Sequence, residues 1–328
     1  MNINDVAREA GLSKTTVSRV LLNSNKVKPA TKEKVLAVIK RMNYTPNTSA
    51  QMLAKKRNSV IGVISGMSIC DPFYGYMGDC IAKECQQYGY GALYAVCQDS
   101  KMGYDKEISM LYGKVDAYVL LGAYDIGEES IDKLTSMGMP VAIFKPGLSL
   151  EGAITVDIDN VKSGELAAQY LYKKGYRKLG YLHGSMKNDF SEGLERYRGF
   201  MKKAEALGLK LEKDFYGDRS YKAAFALADK IIGSGVDALF CETDIMAYAV
   251  VDALKEKGVK IPGDIAILGF DDIKFKNYES NTHLSTIAQP MERMAACIVA
   301  ALVNRIEHDV PYGKEQLFET AIVEGKTT

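Results

Sequence analysis

The sequence predicts an α/β protein carrying a small all-α head. Residues 1–45 hold short helical patterns and no strand pattern. From Ser59 onward, short β-rich apolar runs alternate with longer amphipathic segments. The runs are apolar almost throughout, as strands are when helices cover both faces of a parallel sheet. At 328 residues the chain is also too long for one small core.

In the head, Ile3 to Gly11 reads as a helix with Val6, Ala7 and Ala10 on one face. Gly11-Leu12-Ser13 reads as a turn. Glycine there permits positive φ, Leu12 plugs the core, and Ser13 caps the next helix. That second helix, Lys14 to Leu21, turns Val17, Val20 and Leu21 inward. Lys14, Thr15, Thr16, Ser18 and Arg19 are left facing outward. Such a face suits the DNA major groove, where arginine pairs with guanine O6 and N7. A third helix, Thr31 to Asn43, packs behind it through Val35, Val38 and Ile39. A plain three-helix bundle is the alternative. After the polar break Tyr44 to Ser49, a short helical stretch from Ala50 to Lys55 runs into Lys56-Arg57-Asn58. The expected divisions are a helix-turn-helix head over 1–45 and a short helix and linker over 46–58.

Charge separates the two parts. Residues 1–58 hold twelve Lys/Arg against three Asp/Glu, or +9, and the whole chain is +1, so the remainder carries −8. A basic head on an acidic body is a nucleic-acid footprint at one end, the alternative being a solvated basic face.

In the body the strand candidates are VIGVIS (60–65), GALYAV (91–96), DAYVLL (116–121), VAIF (141–144), ITVDI (154–158), LGYLHG (179–184), DALFCE (237–242) and AILGFD (266–271). Helical segments between them include Tyr74 to Tyr88, Asn160 to Lys174, Glu192 to Leu207, Tyr221 to Ile232 and Ile245 to Lys257. Periodicity alone leaves one large barrel and two doubly wound lobes both open.

Composition narrows the class. Hydrophobic residues make up 47% and charged residues 25%, ordinary for a globular protein. No run reaches the roughly 18 apolar residues of a membrane span. The start MNINDVAREAG lacks the apolar stretch of a secretory signal, so a cytoplasmic protein is expected. The six cysteines include no CxxC pair, and none of the three histidines is spaced to join them. Free thiols are expected, with a structural zinc as the alternative. Gly89-Tyr90-Gly91 begins a GxG, but Tyr94 stands where the third glycine of a dinucleotide loop belongs. Gly325-Lys326-Thr327 resembles the end of a phosphate loop, but position 320 is Thr. With no Ser-His-Asp set or carboxylate pair either, the chain is read as no enzyme, without cofactor or metal.

Three stretches carry a resemblance: INDVAREAGLSKTTVSRVLLNS, VKPATKEKVLAVIKRMNYTPN and SAQMLAKKR. Together they resemble the head and hinge of the lactose repressor/galactose repressor (LacI/GalR) family of bacterial transcription regulators. The resemblance implies that Lys14, Thr15 and Arg19 read bases and that Ser13, Thr16 and Asn23 contact phosphate. Ser18 shares the same face. It also implies a hinge helix in the minor groove, where Ala50-Gln51-Met52-Leu53 stands for the family's Ala-Arg-x-Leu. Leu53 would be the wedge that kinks the duplex.

For the body, the resemblance implies two doubly wound lobes like those of periplasmic sugar-binding proteins, joined by three crossings. The N-terminal lobe would span 59–157 and 288–318, and the C-terminal lobe 158–287 and 319–328. An effector would lie in the cleft, at the carboxyl ends of the strands. Asp71-Pro72-Phe73-Tyr74 resembles the family's Asn-Pro-Phe-Phe, making Phe73 and Tyr74 an aromatic platform or part of the core. Arg196-Tyr197-Arg198-Gly199-Phe200 resembles Arg-x-x-Gly-Phe, with Arg196 aimed into the cleft. In Thr243-Asp244, Asp244 is read as a hydroxyl acceptor, a helix cap, or both. In Gly269-Phe270-Asp271-Asp272, Asp271 is read as a second acceptor. Asp159-Asn160, at a crossing, has a structural or a ligand role.

Arg219 stands where the family often has an aromatic ring, and Lys145 ends the run VAIF. These cations point to an anionic effector, unless Asp189, Asp218 or Asp244 neutralises Arg219. The expected function is a sequence-specific transcription repressor. It would bind a palindromic double-stranded operator as a homodimer, under control of a sugar or sugar phosphate, with no membrane partner. A regulator answering to a phosphoprotein is the alternative. No leucine-heptad tail follows Thr328, so a dimer is expected rather than a tetramer.

Overall fold

The computed structural model describes residues 2–21, 26–44, 57–97, 104–122, 126, 128–144, 152–184, 192–273, 283–311 and 315–328. It divides into a head unit, Met1–Ser59, and a body unit, Val60–Thr328.

Among the described residues, the head has three helices, α1 (Ile3–Ala10), α2 (Lys14–Leu21) and α3 (Pro29–Arg41). Asn2 and Asp5 start α1 with a reciprocal capping box. Gly11, with φ 62°, closes α1 in the left-handed conformation. The Ser13 hydroxyl then accepts from the Thr16 amide at 3.1 Å and starts α2. α3 begins two residues earlier than its periodicity suggested, because Pro29 sits comfortably in a first helical turn. Val6, Val17 and Val35, one from each helix, are fully buried at the centre of the head.

The body contains two six-stranded sheets, which answers the barrel question in favour of lobes. In the first, the strands are β1 (Val60–Ser65), β2 (Gly91–Val96), β3 (Ala117–Leu121), β4 (Val141–Phe144), β5 (Ile154–Ile158) and β11 (Glu315–Phe318), ordered β11-β5-β4-β3-β1-β2. In the second they are β6 (Lys178–His183), β7 (Lys210–Tyr216), β8 (Ala238–Cys241), β9 (Ala266–Asp271), β10 (Ser285–Ala288) and β12 (Ala321–Val323), ordered β12-β10-β9-β8-β6-β7. Among the described residues, all pairings are parallel except β10 with β12. The chain passes from the first sheet to the second after β5, returns after β10, and passes again between β11 and β12.

Helices α4 (Pro72–Gln87), α5 (Asp105–Leu111) and α6 (Glu128–Ser136) belong to the first half. Helices α7 (Asn160–Lys173), α8 (Glu192–Ala206), α9 (Tyr221–Phe225), α10 (Ala228–Ile232) and α11 (Asp244–Glu256) belong to the second. The long α12 (Met291–His308) returns to pack on α4 and β5. Two glycines let α7 and α8 approach at backbone distance. A Cβ on Gly164 would collide with the Arg196 carbonyl, and one on Gly199 with the Val161 carbonyl.

Strand β7 escaped the sequence reading because it is an edge. Its order Lys210-Leu-Glu-Lys-Asp-Phe-Tyr216 is charged as edge strands are, not apolar. Strands β10, β11 and β12 are three or four residues long, too short to show a period. The six cysteines are free thiols, four of them buried. Among the described residues, no helix is long and apolar enough to cross a membrane.

Candidate nucleic-acid face and effector pocket

In the head, Val17 and Val20 anchor α2 and turn its other side to solvent. Ser13, Lys14, Thr15 and Arg19 are exposed, and Thr16 and Ser18 half-buried. Two cationic side chains and a row of hydroxyls thus share one surface of a short helix. The Ser13 and Thr16 hydroxyls also hydrogen-bond each other at 2.8 Å, fixing the helix start. Asn23, Ala50 and Leu53 lie outside the described residues, as does Lys145 of the body.

In the body, a pocket opens where strands of both sheets end. From the first half come Met67, after β1, and the start of α4. Asp71 caps that helix, its carboxylate accepting from the Phe73 and Tyr74 amides at 3.0 Å each. The cap holds both rings in place, 5.1 Å apart and edge to face. Phe73 also stacks on Phe144, so it belongs to the core and to the pocket wall at once.

The second half supplies the charges. Arg196, on α8, is buried with its guanidinium 3.9 Å from the centre of the Phe270 ring. Its Nε donates to Asn160 Oδ1 at 3.0 Å, and its Nη1 to the Glu242 carbonyl at 2.6 Å. Glu192 lies 3.5 Å away, one helical turn before it. Arg219 follows β7 with φ 48°, next to Asp218 with φ 49°. Two consecutive non-glycine residues in the left-handed region bend the chain sharply there. Arg219 donates from Nε and Nη2 to Glu242 Oε1 at 3.0 and 2.8 Å. The other Glu242 oxygen accepts from the Gly184 amide at 2.7 Å. Glu242 is only 2% exposed, while Arg219 is 40% exposed.

Asp271 ends β9 with φ 114°, a conformation L-residues rarely adopt, and faces the pocket. Its Oδ1 accepts from Gln289 Nε2 at 2.7 Å, a residue in the second crossing.

Two expected pocket residues sit elsewhere. Asp244 is buried behind the wall. Its oxygens accept from the Thr286 hydroxyl at 2.6 Å and the Ile273 amide at 2.8 Å. Burial pushes its carboxyl well above the ordinary range, and the negative charge of Asp271 adds to this. The α11 cap is Thr243, whose hydroxyl accepts from the Met246 amide, so the capping role read for Asp244 is corrected. Asp159 caps α7 through the Lys162 amide at 2.9 Å and is absent from the wall. Its neighbour Asn160 is the one that touches the site, through Arg196.

Sequence reasoning missed Glu242, the acid that holds Arg219. Its signal was present: a carboxylate ending the apolar run DALFCE, where a parallel strand delivers its last side chain to the ligand side. Glu192, one turn before Arg196, was missed for want of a motif.

Known proteins complete the picture. Residues 2–47 match the family of bacterial regulatory proteins, lacI family, and residues 168–328 match the periplasmic binding protein-like domain. The HTH-type transcriptional repressor PurR of Yersinia enterocolitica is 30% identical over 315 residues, 93% of this chain and 90% of that protein. The transcriptional regulator CelR in complex with cellobiose is 26% identical, with a TM-score of 0.69 and full coverage of both chains. The Lac repressor dimer bound to operator and the anti-inducer ONPF has a TM-score of 0.78 over 100% of this chain and 98% of that one. At 22% identity it speaks for the fold alone. The match to both domains and the identity to a full-length repressor lead to one conclusion: the chain belongs to the lacI family of bacterial regulatory proteins.

Proposed function

We propose that this regulator binds a palindromic operator as a homodimer, through Lys14, Thr15, Ser18 and Arg19 with Ser13, Thr16 and Asn23 at phosphates. Operator affinity is set by a small polyhydroxylated effector held in the body pocket. The observation that carries the second half is the pocket itself. An aromatic pair, Phe73 and Tyr74, shares the pocket wall with fixed polar groups, Arg196, Arg219 and Asp271. Sugar C–H faces pack on rings while hydroxyls need paired donors and acceptors. The cellobiose complex of the related CelR supports that ligand class.

The division of labour is a head over 1–45, a hinge with Ala50 and Leu53 over 46–58, and two lobes, 59–157 with 288–318 and 158–287 with 319–328. The protein acts on the chromosome in the cytoplasm and by binding alone, with no chemical step. Arg219 is held by Glu242, so the anionic effector suggested by its charge loses its main support.

A thermal-shift screen of the full chain against neutral sugars, sugar phosphates and nucleobases, repeated as operator gel shifts, tests the proposal. A sugar that raises the melting temperature and changes operator retention is the expected result. A nucleobase as the sole hit overturns the polyhydroxyl assignment.

A further inference from the structure

We propose that the pocket selects against negative charge, taking uncharged or amine-bearing polyols and excluding phosphorylated or acidic ones, with Glu242 as the residue that sets this preference. The inference rests on the reading of the pocket as the effector site.

Among the described residues, the wall carries the carboxylates Asp71, Glu192, Glu242 and Asp271 against the guanidiniums Arg196 and Arg219. Both guanidiniums are engaged by the protein. Arg219 binds Glu242, while Arg196 binds Asn160 and the Glu242 backbone and lies near Glu192. An arginine fork recruits phosphate when its charge is uncompensated. Here the compensating carboxylate is built in. It is buried and fixed by the Gly184 amide. Gly193 is part of this arrangement, since any Cβ on it would occupy the place of the Glu242 carboxylate. The charge of Asp271 is felt beyond the wall, at Asp244, whose carboxyl is pushed up by burial and then by Asp271. Among the described wall residues, an incoming phosphate would meet two arginines already paired with Glu242 and Glu192, and two further carboxylates, Asp71 and Asp271, and like charges brought together out of water repel strongly. A hydroxyl meets no such penalty, and a protonated amine finds acceptors.

The test compares matched sets on the full-length protein by calorimetry: glucose, galactose and mannose, each with its 2-amino and 6-phosphate form, and inorganic phosphate as a separate probe. In the wild type, the phosphorylated member of a binding set is expected to bind at least about tenfold more weakly than its parent, and the amine at least as tightly as the parent. Glu242→Gln keeps an acceptor for the Gly184 amide and deletes the charge. It is expected to shift the ratio toward the phosphorylated form by about tenfold and to gain a response to inorganic phosphate that the wild type lacks. Glu192→Gln shifts the ratio the same way by less, and serves if Glu242→Gln fails to fold.

Wild-type protein that takes the phosphorylated form as tightly as the neutral one overturns the inference and leaves the effector pocket standing. So do variants that leave the ratio unchanged. If no sugar set binds the wild type, the phosphate probe alone decides. A response confined to the variants then supports charge selection, whereas a wild-type response, or none in either variant, overturns it.

Discussion

Gly269 lies so close to the Asp244 carboxylate that a Cβ on it would overlap Oδ1. The glycine of Gly-Phe-Asp-Asp is therefore a packing requirement of a buried acid. Asp244 in turn ties the start of α11 to the segment after β9, through Ile273, and to β10, through Thr286. Gly269→Ala is expected to cost about 1–3 kcal/mol by overpacking, read as a drop in the body's denaturation midpoint. An unchanged midpoint would show that Asp244 can move aside.

The same acid gives a pH dependence with a definite sign. Its folded pKa is raised above the ordinary 3.8, so the fold holds this proton more tightly than the unfolded chain does. Stability from the group is full below the unfolded value and is lost as pH rises from there through the folded pKa, by up to about 1.4 kcal/mol per pH unit. Asp244→Asn has no such loss. Its stability relative to wild type should climb as pH rises across that window, measured by denaturant melts at several pH values. A difference independent of pH would contradict the assignment.

Gly199 seats α8 on α7, and Arg196 is one turn earlier on the same helix. Gly199→Ala should push the helices apart at a cost of about 1–3 kcal/mol. Because Arg196 rides on that helix, ligand affinity should fall along with stability. Full ligand affinity at reduced stability, in a calorimetric titration of the variant, would separate the two.

On the head, Arg19→Ala is expected to cost roughly 1–3 kcal/mol at one operator base pair and to relax specificity there. Removing a phosphate contact instead weakens all sequences alike and flattens the salt slope. Fluorescence anisotropy on matched and scrambled operators distinguishes them. Equal loss on both DNAs would exclude base reading by Arg19.

Most of this architecture was legible in the sequence, for physical reasons. The head's turn is local, so Gly11 and Ser13 write its geometry into the chain. Central parallel strands are apolar runs because both their faces are buried, which makes β1, β3, β8 and β9 visible. Edge strand β7 is hidden by its lysines. The pocket was legible where it rests on a motif, as at Phe73, Arg196 and Asp271. It was illegible where its chemistry comes from partners far apart in sequence. Glu242 meets Arg219 across 23 positions and Gly184 across 58, and no local pattern announces such a meeting. Asp244 carried the opposite error: its place after a strand suggested a ligand acceptor, yet Thr286 and Ile273 use both of its oxygens.

The central claim is that the body pocket controls the head's grip on DNA. Coupling of this kind is reciprocal, so a ligand that changes operator affinity must itself bind differently when operator is present. The most direct measurement is an operator titration by fluorescence anisotropy, with and without a sugar that stabilises the protein in the thermal-shift screen, on wild type and on Asp271→Ala. The account predicts that the sugar shifts the wild-type operator Kd, and that Asp271→Ala binds operator normally but no longer responds. A sugar whose binding requires Asp271 yet leaves the wild-type operator Kd unchanged would contradict it.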